Sequence, residues 1–350
     1  MELDPKKVEE LQKQTSASME QVKRALHDAD GDPQRALSSL QAQKKKGNET
    51  FLRVISAVIL LPIFVFCVTY TQWFFLQLLL MALLAMYLGL AEYFVLTDRG
   101  LEGRPFRGLS YTFAVLLVIL YYFQMVNQQA KFPVPEFLKT ASTIFYPGYD
   151  LIIPCYFVFF MLAFGLQIVK RPLDGAIFSV ATSIVGILYM SIPIGHLLLV
   201  IGLKNGLFYI WFAAGITMIS DGGAYFGGRW FGKNPAGLKI SPKKTWEGYI
   251  TGIIIGVIYT IGLFYAWQSV AGELAPIGIL EGCFVAVVFA IITVLGDLSE
   301  SAMKRDAKIK DSAATVPGMG GILDVIDAML FTIPCIYFYV KIKESMGYTI

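Results

Sequence analysis

Histidine and charged residues are both scarce in this chain. Two of its 350 residues are histidines, and charged side chains make up 16% of it, against roughly 25% in a soluble domain. His27 and His196 are too few and too far apart for a histidine-based metal site, and we expect His196 to pack or hydrogen-bond between helices. With 56% hydrophobic and 14% aromatic residues, the composition is typical of a polytopic membrane protein.

Cysteine is also rare, and none of the cysteines has the spacing of a metal ligand. All four lie within apolar runs: Cys67, Cys155, Cys283 and Cys335. Buried small side chains explain such positions better than disulfides or a thiolate site. We therefore predict four unpaired thiols.

The first 46 residues lack a spanning segment and lack the apolar core of a secretory signal. They show three short helical patterns, at residues 8–11, 19–26 and 36–40. Ser18 suits the N-cap of the second helix, and Pro33 suits the first turn of the third. We predict a small three-helix soluble domain over residues 1–46 and a transmembrane domain over residues 47–350.

The stretch LQKQTSASMEQVKRALHDADGDPQRALSSL resembles a ubiquitin-associated/elongation-factor-Ts N-terminal domain. The plain alternative is a soluble tether without a catalytic part. Its partner is left open: the ribosome, another protein or nothing.

From residue 51 onward, apolar runs alternate with short polar connections. A membrane helix needs about 20 apolar residues, and nine runs qualify, at roughly 52–70, 73–97, 108–126, 150–169, 176–202, 205–220, 249–270, 276–296 and 322–341. The sixth is short, and the fifth has a potential break near Ser191–Pro193, so the count is open by one. The sequence predicts an all-α polytopic membrane protein with about nine transmembrane helices.

Lysine and arginine indicate the orientation of these spans. If the N-terminus is cytoplasmic, the connections on that side hold most of the basic residues. This bias predicts a cytoplasmic N-terminus and a C-terminus outside. It also places two charge-rich segments, 221–248 and 297–321, at the same face of the membrane.

The later charge-rich segment is a candidate site, because charges at membrane depth cost on the order of several kcal/mol unless paired, hydrated or bound to an ion. A solvated loop is the plain alternative. In a helix emerging from the eighth span, five polar residues would share one face: Asp297, Glu300, Ser301, Lys304 and Lys308. An ion-pair network along that face is the structural alternative to a binding site.

The same segment ends in a glycine-rich turn, PGMGG at Pro317–Gly321, directly before a helix. Backbone amides at a helix N-terminus can bind anions. Asp324 and Asp327 follow within the first turns of the last span. Such carboxylates suit Mg²⁺, which binds through a few carboxylates plus substrate phosphates.

The earlier segment reads SDGGAYFGGRWFGKNPAGLKISPKKTWEGY. Asp221 is expected to end the sixth span, and paired glycines and five basic residues follow in a predicted loop. A solvated loop on the positive-inside face is the alternative. Taken together, the two segments supply carboxylates for a metal, cations for several phosphates and glycines for close approach. Phosphoryl or nucleotidyl transfer needs these parts.

The two segments resemble the phosphatidate cytidylyltransferase (CDP-diacylglycerol synthase) family of the bacterial integral-membrane type. That family's signature has the form S-x-x-K-R-x4-K-D-S…P-G-H-G-G-x-x-D-R-x-D, preceded by G-D-x-x-E. The matching residues are Gly296, Asp297, Glu300, Ser301, Lys304, Arg305, Lys310, Asp311, Ser312, Pro317, Gly318, Gly320, Gly321, Asp324 and Asp327. DGGAYFGGRWFGK and ISPKKTWEG resemble the family's other characteristic block. The resemblance covers roughly residues 51–345.

This resemblance implies transfer of CMP from CTP to phosphatidic acid, giving CDP-diacylglycerol and pyrophosphate. It implies Asp297 and Asp324 as ligands of Mg²⁺, alone or with a second cation. The expected catalytic residues are Lys304, Arg305, Lys310, Asp311 and Asp327. The expected substrate-binding residues are Asp221, Arg229, Lys243, Lys244, Ser301, Gly318, Gly320 and Gly321.

Two positions depart from the family pattern: Met319 stands where histidine is common, and Val325 where arginine is common. The attacking phosphate of phosphatidic acid is mostly ionised at neutral pH, since the second pKa of a phosphate monoester is about 6. It needs no general base, so we expect the chemistry to survive without the histidine.

The implied partners are CTP, phosphatidic acid and the lipid bilayer of a bacterial inner (plasma) membrane, with a homodimer left open and no nucleic acid expected. Three other classes stay open. A CTP-dependent lipid kinase would transfer the γ-phosphate instead of CMP. A transporter would carry charges near the midplane, often with paired repeats. A catalytically impaired relative would bind without turnover.

Overall fold

The computed structural model describes residues 8, 11–12, 15, 18–29, 32–100, 103–128, 134–146, 150–309, 312–313 and 315–348. Over residues 42–50 it describes the backbone alone.

Across the described residues the regular elements are α-helices, and β pairing is confined to two isolated bridges. The helices with defined bounds are α1 (Met19–Asp28), α2 (Pro33–Thr69), α3 (Leu76–Thr97), α4 (Arg107–Gln128), α5 (Glu136–Phe145), α6 (Ile152–Lys170), α7 (Ala176–Ile201), α8 (Gly206–Phe231), α9 (Trp246–Ala271), α10 (Ile279–Asp306), α11 (Ile322–Ile326) and α12 (Met329–Ser345). The predicted all-α fold is confirmed.

Nine segments of the described chain are long and apolar enough to cross a membrane: Phe51–Thr69 within α2, then α3, α4, α6, α7, α8, α9, α10 and Ile322–Ser345. Many large apolar side chains on their outer faces are exposed, as expected where lipid replaces water. The chain is a multi-pass α-helical membrane protein, as predicted.

The predicted end of the sixth span is wrong, and the break that the sequence left open in the fifth span is absent. The sequence predicts a sixth span at 205–220 followed by a loop, whereas α8 continues to Phe231. Asp221 therefore lies inside a helix. The fifth span passes Pro193 as one helix, because the surroundings of a membrane helix can satisfy the backbone groups that proline leaves free.

Close packing between α8 and α9 accounts for the length of α8. Gly248, Gly252 and Gly256 lie four residues apart and so share one face of α9. A Cβ atom on Gly248 would lie 2.8 Å from the Ala224 carbonyl oxygen, and one on Gly252 would lie 2.7 Å from that of Ser220. Small residues at this spacing let membrane helices approach closely. Most of the paired glycines of α8, predicted to approach phosphate from a loop, lie at this contact instead.

Two predictions about scarce residues are confirmed. His196 donates a hydrogen bond from Nδ1–H to the Ile192 carbonyl, 2.7 Å away, and its ring contacts those of Tyr121, Tyr337 and Phe338. All four cysteines are free thiols.

The chain divides into two compact units, Met1–Pro62 with Ala314–Gly320, and Ile63–Ala313 with Gly321–Ile350. In the first unit, apolar residues between Val8 and Leu40 form a small buried cluster. Ser18 caps α1 in a capping box with Gln21, as predicted for Ser18. α2 begins at Pro33 and runs on into the first span without a break at residue 46.

This continuity means that the third predicted helix of the N-terminal domain and the first span are one helix. The boundary at residue 46 and the ubiquitin-associated resemblance stay predictions.

Candidate active site

The charged end of α10 provides one part of the candidate site. The helix runs to Asp306, so Asp297, Glu300 and Lys304 occupy successive turns, and the predicted helix is confirmed. Lys308 lies beyond the helix with φ +58°. It therefore does not continue the charged face, contrary to the prediction.

Lys304 lies between two carboxylates. Its ammonium forms ion pairs with Glu300 one turn earlier and with Asp324, whose Oδ1 is 2.6 Å away. The side chains of Lys304, Asp324 and Glu300 are 13%, 10% and 1% exposed. Buried charges persist only when they are paired and hydrogen-bonded. The ion-pair network that the sequence left open as an alternative is therefore present.

The second oxygen of Asp324 is also fully engaged. Its Oδ2 accepts the Ser312 N–H at 3.1 Å, the Gly321 N–H at 2.8 Å and lies 2.7 Å from the Ser312 hydroxyl. A carboxylate offers about four lone-pair sites. With Lys304 on the other oxygen, both oxygens of Asp324 already have protein partners.

Glu92 joins this group from α3, and the sequence reasoning missed it. The residue is 4% exposed. Its Oε1 accepts the Ile322 N–H at 2.9 Å, and its Oε2 accepts the Leu323 N–H at 2.8 Å and lies 3.0 Å from the Ser312 hydroxyl. An acidic residue inside an otherwise uncharged apolar span was the signal that could have identified it.

The predicted phosphate site at the start of α11 is occupied by the protein itself. The Gly321 N–H bonds to Asp324, and the next two N–H groups bond to Glu92. A Cβ atom on Gly321 would collide with the Ser312 hydroxyl and the Glu92 carboxylate. In this structure Gly321 permits the approach of these protein groups, rather than the phosphate contact that the sequence predicts.

A second ion pair, between Lys244 and Asp297, is more open to solvent. Its side chains are 27% and 29% exposed. The connection before α9 fixes the lysine: the Ala236 N–H donates to the Lys244 carbonyl at 2.8 Å, and Thr245 caps α9 by accepting the Gly248 N–H at 3.2 Å. The two charge-rich segments of the sequence meet at this pair.

Asp221 and Asp327 add negative charge around Lys244. Partial burial lowers the pKa of the Lys244 ammonium from its ordinary value, and the nearby Asp221 and Asp327 carboxylates oppose that shift. Asp221 is exposed. Asp327 is 9% exposed and accepts the Ala328 N–H at 2.5 Å. The ammonium of Lys244 therefore lies among three carboxylates.

The remaining predicted cations are less confined. Arg229, Lys243 and Arg305 are exposed, and within the described residues none of them forms an ion pair; Arg305 donates to the Ile309 carbonyl at 3.3 Å. Ser301 is half-buried on α10.

Lys310 and Asp311 lie outside the described residues, so their predicted roles stay predictions.

The glycine-rich turn before α11 belongs to the first compact unit. Arg53 Nε donates to the Gly318 carbonyl at 2.6 Å, and the Ser56 hydroxyl donates to the Pro317 carbonyl at 2.8 Å. Gly318 and Gly320 have φ values of +74° and +103°, a region that favours glycine. These two glycines thus have a backbone role within the turn, and their predicted phosphate contacts stay predictions.

The two carboxylates predicted to bind a metal ion already form ion pairs with lysines. Within the part of the chain that the structure describes, no three histidine, cysteine or acidic side chains are grouped so that they could hold a metal ion. Carboxylates such as Asp297 have the oxygen chemistry that Mg²⁺ prefers, but Asp297 is paired with Lys244 and Asp324 with Lys304. Magnesium stays a prediction.

Lysines and carboxylates thus meet near the ends of apolar helices, and the more open lysine has the charge and exposure to bind an anion. The sequence model of the cytidylyltransferase family matches residues 51–343. The chain therefore belongs to the cytidylyltransferase family, and the family resemblance seen in its sequence is confirmed.

Several curated relatives share the name phosphatidate cytidylyltransferase. The one from Haemophilus influenzae is 38% identical to this chain over 137 residues, which are 39% of this chain and 46% of that protein. The one from Bacillus subtilis is 40% identical over 135 residues, with 39% and 48% covered. The one from Thermotoga maritima is 38% identical over 133 residues, with 37% and 48% covered. The chain spans about half the length of the curated relatives it matches.

Proposed function

We propose that this protein transfers CMP from CTP to phosphatidic acid, giving CDP-diacylglycerol and pyrophosphate. The family match over residues 51–343 carries the proposal. Relatives named phosphatidate cytidylyltransferase support it. A multi-pass fold also suits the reaction, because a diacyl lipid substrate stays in the bilayer while its phosphate reaches the membrane surface.

In this reaction an oxygen of the lipid phosphate attacks the α-phosphorus of CTP. A new P–O bond forms there as the bond to the β-phosphate oxygen breaks, and its electron pair departs with pyrophosphate. The attacking phosphate is already mostly ionised at neutral pH, so no protein base is required. The contribution of the protein is to align the two phosphates and to stabilise their negative charge.

Lys244 is the best-placed residue for that charge. It is partly exposed, its backbone is held by the connection before α9, and its partner Asp297 is open to solvent as well. A phosphate of CTP can replace Asp297 as the partner of Lys244. The exposed Arg229, Lys243 and Arg305 are proposed to bind further phosphate oxygens.

Lys304 is proposed to have a different role in the reaction. Its ammonium is held between Glu300 and Asp324, so it supplies a fixed positive charge beside the reacting phosphates instead of a mobile contact. Asp327, which interacts electrostatically with Lys304 and Asp221, connects the two lysine groups.

Mg²⁺ belongs to the proposal as the companion of CTP, with Asp297 and Asp221 as its carboxylate contacts. A bound Mg²⁺ would neutralise charge on the triphosphate. The steps above describe the part that the residues of the chain take in the reaction. Asp324 would bind a metal only if its present hydrogen bonds rearranged.

The basic connections support a cytoplasmic N-terminus and a C-terminus outside, in the plasma membrane of a bacterium. This orientation would place Lys244 and Lys304 where CTP is available.

The decisive experiment supplies purified protein with phosphatidic acid and CTP labelled at either the α- or the γ-phosphate. We expect the α-label in the lipid, pyrophosphate in equal amount, and a requirement for Mg²⁺. Transfer of the γ-label would show a CTP-dependent lipid kinase instead. If neither label enters the lipid, the proposal is wrong.

A further inference from the structure

Glu92 is the only charged residue of α3, and the reaction described above gives it no role. Its carboxylate is buried in a membrane span, where an ionised group costs roughly 3 kcal/mol or more unless it has partners. Those partners come from the opposite end of the sequence. Among them are the N–H groups of Ile322 and Leu323 and the hydroxyl of Ser312.

These bonds hold the first turn of α11. The first N–H groups of a helix have no partner within it, and in an apolar environment a missing acceptor is costly. Glu92 accepts two of them and Asp324 accepts the N–H of Gly321. The position of α11 therefore depends on a carboxylate that belongs to a different helix.

Ser312 extends the influence of Glu92 to the lysine group. Its hydroxyl lies 3.0 Å from Glu92 Oε2 and 2.7 Å from Asp324 Oδ2, so its single proton serves one carboxylate at a time. Asp324 in turn holds the Lys304 ammonium at 2.6 Å. A short chain of contacts thus runs from α3 to the fixed cation.

We propose that Glu92 is a positioning residue for the reaction: it anchors the start of α11 and, through the Ser312 hydroxyl, fixes Asp324 and with it the Lys304 ammonium. This proposal rests on the proposed function, because it assigns Glu92 a share in that site. Glu92 itself is 4% exposed and directed at protein groups. It therefore acts on alignment and not on substrate binding.

The first test is the kinetics of Glu92→Gln. Glutamine keeps the size of the side chain but turns an amide N–H₂ toward groups that donate, so at least one bond to α11 is lost. Small misplacements of catalytic groups cost up to about 100-fold in rate. We expect kcat to fall about 30-fold, with KM for CTP changed by less than about threefold because Glu92 does not touch the substrate.

The second test does not depend on activity. Hydrogen–deuterium exchange of the peptide that contains α11 reports on the Ile322 and Leu323 amides. We expect these amides to exchange at least about tenfold faster in Glu92→Gln than in the wild type, because they lose a charged acceptor.

Glu281→Gln is the matched control. Glu281 is also a carboxylate on a membrane helix that accepts hydrogen bonds, from Lys343 at 2.7 Å and Tyr339 at 2.6 Å, and it lies at the other end of α10. The same chemical change there should leave kcat and the exchange of α11 as they are in the wild type.

Ser312→Ala distinguishes the two contacts of Glu92, one with the backbone of α11 and the other with Asp324 through the Ser312 hydroxyl. It removes the hydroxyl while the bonds from Glu92 to the backbone remain. We expect kcat to fall about tenfold, with the Ile322 and Leu323 amides still protected. If Glu92→Gln does not fold, the kcat of Ser312→Ala tests the proposal instead.

Four results would overturn the proposal. They are a folded Glu92→Gln or Ser312→Ala protein with kcat close to wild type, unchanged exchange of α11 in Glu92→Gln, a loss confined to KM for CTP, and an equal loss in Glu281→Gln. A wild-type protein that makes no CDP-lipid would refute the proposed function. The exchange comparison would then still decide whether Glu92 anchors α11.

Discussion

Lys304 and Lys244 both face carboxylates, but in different surroundings. Lys304 is 13% exposed and its partner Asp324 has protein partners on both oxygens, whereas Lys244 and Asp297 are 27% and 29% exposed. Desolvation makes a buried charge dependent on its partners, while solvent weakens an open ion pair. The Lys304 ion pair is therefore a fixed part of the structure, whereas Lys244 can exchange its carboxylate partner for another anion.

The strongest test of this difference is Lys304→Met. The change leaves Glu300 and Asp324 without their shared cation in a buried position. Breaking a buried ion pair by removing one partner costs about 3–5 kcal/mol, so we expect a large loss of stability together with loss of activity. Thermal unfolding in detergent measures it, and the exposed Lys308→Met, expected within about 0.5 kcal/mol of the wild type, is the control. Equal melting of both variants would contradict the assigned structural role.

Asp297→Asn should affect activity far more than stability. The open ion pair contributes at most about 1 kcal/mol to folding, but the carboxylate is proposed to contact Mg²⁺ in the CTP complex. We expect synthesis of CDP-diacylglycerol to fall about 100-fold, with part of the loss recovered at higher Mg²⁺ concentration. Full activity in the purified variant would exclude Asp297 as a metal contact.

Lys244→Met should weaken CTP binding. A charge-assisted hydrogen bond contributes about 2 kcal/mol, which corresponds to about a 30-fold rise in KM for CTP. Lys239→Met, in the same connection before α9, is the matched control. Lys239 is exposed and has no part in the proposed site, so we expect no more than about a threefold rise for it. An equal rise in KM for CTP in both variants would show that Lys244 contributes no more to CTP binding than the control lysine.

The smallest effect is expected from Met319→His, outside both lysine groups. The change restores the residue that is common in the family, but an ionised phosphate nucleophile needs no general base. We expect kcat to change by less than about threefold. A much larger gain would mean that a proton transfer limits the rate in this protein.

Much of the architecture is predictable from local patterns. Apolar runs of spanning length predict the nine spans, and the spacing of Asp297, Glu300 and Lys304 predicts a charged helix face. Because topology brings the two charge-rich segments to one side, the meeting of Lys244 with Asp297 was also within reach of the sequence.

Other features depend on contacts between distant residues. The segment after Asp221 is predicted to be a loop because it is rich in glycine. It is helical in the structure because it packs closely against glycines of α9. The carboxylate of Glu92 meets the start of α11 across more than 200 positions. No local pattern marks Gly321 as the place where two carboxylates and a hydroxyl converge.

The packing of α8 against α9 has a consequence for variation along α9. Gly248 and Gly252 admit no side chain, whereas Ile250 and Ile254 are 55% and 52% exposed. Random mutagenesis of this helix should therefore give a position that tolerates no substitution at every fourth residue, with tolerant positions between them. The positions of the active variants alone would then trace the line along which the two helices touch.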